Sequence, residues 1–311
     1  MKDITDRPET LRIATAEAFL GLDPTAVTRL RSGGEGWGEL LGSIRAVVVT
    51  AVKRTAELLP GCHPLPLGGI GVAAEVEEAG LRLQVTVRAV AASGVEMEAL
   101  TGASIGILHA YDRLATGTER DLEGVRLIGS RGGPEDWSET IDPPVRAGVI
   151  VLSDSVHAGT KEDRAGVAVR DRLIALGSVE VPVYEVLPDE PETLRKRAVE
   201  LIEGGLDLLL TVGGTGLWSR DRTVEAVEEL IDRPVPGISE AARAYGQRRI
   251  PYAMLSRGVS GLAGSTLILT FPGSTKGAIE SCDAVFPGLL HAFRIMRNPS
   301  HDYSSSPPSH S

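Results

Sequence analysis

Asp189 closes the apolar segment "VEVPVYEVLPD", and Asp221 follows the glycines of "LLLTVGGTGLWSRDRT". An acid at the carboxyl end of each of two strands, 32 positions apart in sequence, is the arrangement expected of a Mg²⁺ site. That ion takes one or two carboxylates together with phosphate oxygens. Gly213, Gly214, Thr215 and Gly216 form "GGTG", which permits close backbone approach and turns N–H groups toward an anion. Pro272, Gly273, Ser274 and Lys276 lie in "FPGSTKG", where a strand gives way to a helix N-terminus suited to anions. "GGTG" lacks the Lys-Ser/Thr pair of a phosphate loop and the spacing of a dinucleotide fingerprint, so alone it is a weak signal, and a tight strand-to-helix turn is the plainer reading. Asp154 and Asp163, in "LSDSVHAGTKEDRAG", are expected first as helix caps and only second as ligand contacts.

The first half carries fewer candidates. Cys62 and His63 adjoin in "LLPGCHPLPLGG". Neighbours in sequence point apart and make a poor nucleophile and base pair, so a buried thiol beside a hydrogen-bonded histidine is the plainer reading. "SGVEMEALTGASIGILHAYDRLA" carries Glu96, Glu98 and Asp112. On a helix turning about 100° per residue, positions 98 and 112 lie within about 40° of each other and share a face, as pairs on solvated helices also do.

Positioning these groups requires a particular order of elements. From residue 147 onward, "AGVIVLSD", "VEVPVYEVLPD" and "DLLLTV" read as strands, and "DRAGVAVRDRLIALG" and "PETLRKRAVELIEGG" as the helices between them. Helices follow over Thr223 to Ile231 and Ile238 to Arg249, then a strand in "STLILTF" and one last helix in "KGAIESCDAVFPGLLHAF". Strict alternation predicts an α/β domain, a doubly wound, mostly parallel sheet with ligands beyond the carboxyl ends of its strands. The first half reads as a helix in "TAEAFLGL", strands in "IRAVVVTAV" and "LRLQVTVRAV", a long helix in "EMEALTGASIGILHAYDRLAT" and a strand in "VRLIGS". That predicts an α+β domain with an antiparallel sheet. The Gly-, Pro- and acid-rich "SRGGPEDWSETIDPPVR" marks the break near Ile141 to Pro144, giving domains 1–141 and 142–298. The polar stretch 299–311 is expected to be disordered.

Composition excludes several classes. The chain has 311 residues, 42% hydrophobic and 24% charged, and runs such as "AVVVTAV" are far too short to span a bilayer. "MKDITDRPET" lacks the apolar core of a signal peptide, so a cytoplasmic location and no membrane association are expected. Two cysteines, Cys62 and Cys282, fall in different domains, which argues against a disulfide framework and rules out a four-cysteine metal site. A net charge of −10 without a basic stripe speaks against nucleic acid as a partner and leaves room for one anionic small molecule.

"LSDSVHAGTKEDRAG", "LPDE", "VGGTGLWSRDRTVEA", "VPGISEAARAYG" and "MLSRGVSGLAGSTLILTFPGSTKGAIE" resemble, in that order over Ala147 to Met296, the molybdopterin adenylyltransferase family. The resemblance implies transfer of AMP from Mg·ATP, as co-substrate, to the terminal phosphate of molybdopterin. Asp189 and Asp221 become the essential acids, and the two glycine loops line the pterin-phosphate and nucleotide pockets. Such a reaction needs no protein nucleophile, only in-line positioning and neutralisation of developing charge.

"AVKRT", "GCHPL", "GVEMEALTGAS" and "YD" resemble cyclic pyranopterin monophosphate synthase over Met1 to Gly133, implying a ferredoxin-like domain that closes a cyclic phosphate and expels pyrophosphate. By that likeness Lys53, His63, Glu96, Glu98 and Asp112 are active-site positions, with Cys62, His63, Met97 and Glu98 near substrate and Asp112 in acid–base chemistry. Ala115, Ser130 and Pro134 stand where the family carries lysines, and Trp37 where it is commonly basic. Arg131 restores charge but cannot act as a neutral base. An impaired first activity is therefore expected, since unpaired phosphate charge in a partly desolvated pocket is costly. A fully bifunctional enzyme and a non-catalytic pterin-binding scaffold are the competing readings. Both families imply a homo-oligomer, a trimer or a hexamer.

Overall fold

The structure is a computed structural model that describes residues 1–32, 36–114, 121–133, 136 and 139–298. The tail 299–311 and the departures at Ala115 and Pro134 lie outside the described residues. Two compact units divide the chain, Met1–Asp136 and Trp137–Ser311. The division falls ahead of Ile141 because that side chain is buried in the second unit's core and its N–H donates to Ser178 Oγ at 3.2 Å.

The first unit runs β1 (Thr10–Gly21), α1 (Pro24–Arg31), α2 (Trp37–Lys53), α3 (Thr55–Leu58), β2 (Leu67–Val76), β3 (Gly80–Ala91), α4 (Glu96–Arg113) and β4 (Leu122–Arg131). Its sheet is antiparallel throughout, in the order β2-β3-β1-β4. Two expected elements are corrected. "TAEAFLGL" is strand rather than helix: Ala14, Ala16, Ala18 and Leu20 are all buried at a period of two. Pairing with β3 on one side and β4 on the other overrides the helix propensity of Ala, Glu and Leu. "IRAVVVTAV" is helix rather than strand. Leu40, Ile44, Val48 and Val52 recur every four residues and bury one face, which outweighs the β-branched composition. Gly102 and Gly106 let α2 and α4 approach closely, since a Cβ at either would lie 2.6 Å from a side chain of Val52, Val48 or Leu83.

The second unit continues with β5 (Val145–Leu152), α5 (Asp154–His157), α6 (Ala165–Ala175), β6 (Val179–Leu187), α7 (Pro191–Glu203), β7 (Leu208–Val212) and α8 (Thr223–Glu228). It closes with β8 (Arg233–Pro234), α9 (Pro236–Gln247), β9 (Ser260–Ala263), β10 (Thr266–Phe271), α10 (Thr275–Val285) and α11 (Leu290–Arg297). The sheet order is β6-β5-β7-β10-β9-β8. The first four strands are parallel and the last two antiparallel, the mostly parallel sheet expected. Leu208, Leu209 and Leu210 of β7 are fully buried, as a central strand covered on both faces requires. The single expected terminal helix is two helices, because the chain breaks at Phe286 ahead of Pro287, whose ring cannot continue the ladder.

Candidate active site

Leu152 pairs with Leu187, Val151 with Val212, and Val212 with Phe271, so four parallel strands end level with one another. The loops leaving them carry Asp154, Asp189, the glycine run and "FPGSTKG". Gly213 and Gly214 adopt positive φ, +116° and +64°. Gly214 is wedged so tightly that an added Cβ would lie 2.0 Å from Thr223 Oγ1 and 3.2 Å from Asp189 Oδ1. At Gly216 the same atom would lie 2.6 Å from Asp221 Oδ2, and at Gly273 it would lie 3.2 Å from Gly213 Cα. The two glycine loops and the two acids therefore meet.

A cleft of about 640 Å³ opens between these loops. Gly214, Thr215, Gly216, Asp221, Pro272, Gly273, Ser274 and Lys276 all line it. Ser274 is the N-cap of α10 and accepts from Gly277 N at 3.2 Å, so the helix end faces the cleft with a fixed cap. Lys276 is largely exposed, 3.8 Å from Glu280 one turn along.

Burial raises the Asp189 carboxyl above the usual range, and the negative charges of Asp154 and Asp221 add to the rise while Arg220 opposes it. Such like-charge crowding calls for a cation. Among the described residues no three His, Cys, Asp or Glu side chains form a metal cage, so a cation held by Asp189 and Asp221 would complete its shell with water and with oxygens of a bound phosphate. The glycines provide for that, because Cβ atoms at 214 and 216 would crowd the two acids. The donor set thus fits Mg²⁺ bound together with phosphate.

The two expected caps separate. Asp163 serves the start of α6 from one residue ahead of its N-cap, Arg164, accepting from Gly166 N at 2.9 Å and from the Tyr184 hydroxyl. Asp154 does not cap its helix: Ser153 caps α5, and the Asp154 carboxylate accepts from Asp189 N at 2.9 Å and Arg220 at 2.5 Å. Sequence reasoning also missed Thr223, which buttresses Gly214, and Arg257, whose guanidinium reaches Gly216 O, Asp221 O and Glu225. "MLSRG" placed Arg257 in a motif, but no spacing rule connects it to position 221.

In the first unit the candidates fall at two ends of α4. Glu98 is 4% exposed. Burial holds its carboxyl above the usual range, with the charge of Glu96 adding to the shift. Cys62 is half-buried; its thiol is pushed up by burial first and then by the charge of Glu98. His63 is half-buried in the same loop, and Met97 is 44% exposed. Val52 packs against Gly102 and Val48 against Gly106, so α2 runs antiparallel to α4 and exposed Lys53 lies toward the Glu98 end. Arg12, missed in the sequence, is a buried cation within the influence of Glu96. Asp112 is exposed near the opposite end, where neighbouring Arg113 pairs with Glu39 at 3.2 Å. Fourteen residues at about 1.5 Å each separate Glu98 from Asp112 by about 21 Å along the axis. One face is shared, but within one copy the two carboxylates do not meet. Ser130 and Arg131 lie exposed on β4.

Comparison with known proteins gives a match for each unit. The family model described as the MoaC family covers residues 1–133, and that described as a probable molybdopterin binding domain covers residues 148–291. A molybdenum cofactor biosynthesis bifunctional protein of Chlorobaculum tepidum is 31% identical over 302 residues, spanning 97% of this chain and 96% of the relative. A protein of the same description from Synechococcus elongatus is 32% identical over 318 residues, spanning 97% and 98%. Among solved structures, the molybdopterin biosynthesis enzyme MoaB from Thermus thermophilus is 48% identical, covering 49% of this chain and 96% of that one, with a TM-score of 0.46. No described helix is long and apolar enough to cross a membrane.

Proposed function

We propose a division of labour for this chain, which belongs to the family of bifunctional molybdenum cofactor biosynthesis proteins: its C-terminal unit transfers AMP, and its N-terminal unit is a weakened synthase. In the transfer, an oxygen of the terminal phosphate of molybdopterin attacks the α-phosphorus of ATP, and the bond to the departing pyrophosphate breaks. Asp189 and Asp221 would hold Mg²⁺, which supplies charge neutralisation at the phosphate oxygens. Backbone N–H groups of Gly214 to Gly216 orient one phosphate, and Lys276 with the α10 N-terminus orients another across the cleft. No protein nucleophile is required. Cys282 is not one: it is 2% exposed, and burial pushes its thiol up to about 12.

The observation that carries this reading is the convergence of both glycine loops on one cleft, with Asp221 in its wall and Asp189 against Gly214. The test is incubation of the full chain with molybdopterin and Mg·ATP, with the adenylylated product expected, and the same incubation with Asp221→Asn. Undiminished turnover in that variant sinks the metal pair.

For the first unit the β-α-β-β-α-β succession and strand order support a ferredoxin-like synthase domain. Its catalysis is weak because lysines give way to Ala115, Ser130 and Pro134, the exposed Ser130 carrying no charge. If Glu98 and Asp112 serve one reaction, their separation of about 21 Å demands Asp112 from a second copy. That supports a homo-oligomer, a trimer or hexamer, which light scattering of the full chain would detect. A strictly monomeric chain with full synthase activity would contradict it.

A further inference from the structure

The loop carrying Asp221 is held from outside itself. Its tip is not anchored by apolar burial, since Leu217 and Trp218 are 67% and 68% exposed. Polar ties must fix it instead, and four of them come from Arg257, which precedes β9. Its backbone N–H donates to Thr215 O at 3.0 Å and its Nε to Gly216 O at 2.8 Å. One terminal nitrogen donates to Asp221 O, and the other pairs with Glu225 Oε1 at 2.7 Å in α8. A single residue thus grips the start of the loop, its acid and the helix that follows. Within the loop the Asp221 carboxylate accepts from Trp218 N at 3.0 Å, so the side chain is oriented by a segment whose two ends Arg257 clamps.

We propose that Arg257 is a positioning residue: it sets where the Asp221 carboxylate stands relative to Asp189, and so the affinity with which the pair holds a divalent cation on a nucleotide. The inference rests on the metal-pair reading above. The planar guanidinium satisfies three acceptors in a fixed fork, which a lysine ammonium on its flexible stem cannot reproduce. Removing a group that orients a metal ligand typically costs about 10- to 100-fold in metal affinity or activity.

The test uses the full chain with Arg257→Lys and Arg257→Ala. Mn²⁺ binding in the presence of ATP is read by electron paramagnetic resonance, the Mg²⁺ dependence of AMP transfer by product formation, and folding by the thermal midpoint. The expected result is an apparent Mn²⁺ Kd raised about tenfold or more in the folded Lys variant. Its half-saturating Mg²⁺ should rise in parallel, with excess Mg²⁺ recovering part of the rate. A Lys variant that melts lower yet holds Mn²⁺ and responds to Mg²⁺ like the parent overturns the proposal and makes Arg257 a structural strut. A parent chain that takes up no Mn²⁺ with ATP overturns the metal pair, and this proposal with it. If the parent binds Mn²⁺, the variant loses it and neither transfers AMP, the positioning role stands and the adenylyl-transfer reading fails.

Discussion

In the C-terminal unit the paired acids come from the ends of different parallel strands, 32 residues apart, and both reach the glycines between them. In the N-terminal unit the candidate acids Glu98 and Asp112 lie 14 residues apart on one helix, yet remain about 21 Å distant. A parallel sheet gathers its strand ends along one edge whatever the sequence separation. A helix returns residues to one face at every turn while carrying them along its axis. Angular agreement on a helix therefore says nothing about a common site, whereas two strand ends in neighbouring loops predict one.

The sharpest way to break this contrast is to remove one acid of the gathered pair. Asp221→Asn should lower AMP transfer by roughly 10³-fold, the scale of losing a group that stabilises transition-state charge, while leaving pyrophosphate release by the N-terminal unit unchanged. Product analysis on the two substrates separates these outcomes, and a parallel loss of both activities would mean the units are coupled. Conversely, Ala115→Lys with Ser130→Lys should raise pyrophosphate release from the cyclised guanosine triphosphate intermediate by roughly 10²-fold, the lower range for a restored proton-transfer group. If the parent chain already turns over rapidly, the weakened-synthase reading is wrong from the start. Gly214→Ala comes next in size. It forces a side chain onto a φ of +64° and against Thr223 Oγ1, at a cost of about 1–3 kcal/mol. A lowered thermal midpoint and slowed transfer, with the synthase reaction spared, are expected.

The C-terminal architecture was legible because alternation of buried apolar strands and amphipathic helices is a periodic signal. Asp189, Asp221 and the loop glycines followed from it, since strand ends in such a sheet face one edge. The N-terminal unit was harder to read. Ala14 to Leu20 is built from residues that favour helices, and only pairing on both sides makes it a strand. Val47 to Val49 favours a strand until Ile44 and Val52 supply the helical stripe. Arg257 and the Asp154–Arg220 pair were not legible, because each joins residues through a contact between loops that no local pattern encodes.

Glu98 gives the smallest effect and tests whether the N-terminal acids share the environment that burial implies. Its carboxyl is raised in the folded state by burial, with Glu96 adding to the shift. Its contribution to stability is therefore present in acid and lost as pH rises through the folded value. At neutral pH the unfolded chain, where this carboxyl ionises freely, is favoured by its burial, so Glu98→Gln should raise the thermal midpoint by roughly 2–5 °C. The gain should shrink on acidification as the parent's own carboxyl takes up its proton. The substitution also removes one of the two causes holding the Cys62 thiol up, so Cys62 should react faster with a thiol reagent at mildly alkaline pH, against little background from buried Cys282. A midpoint gap that stays constant with pH, with no change in Cys62 reactivity, would place Glu98 in water and away from Cys62. The cluster at the start of α4 would then be as dispersed as Asp112 already is, and the contrast between the two units would widen.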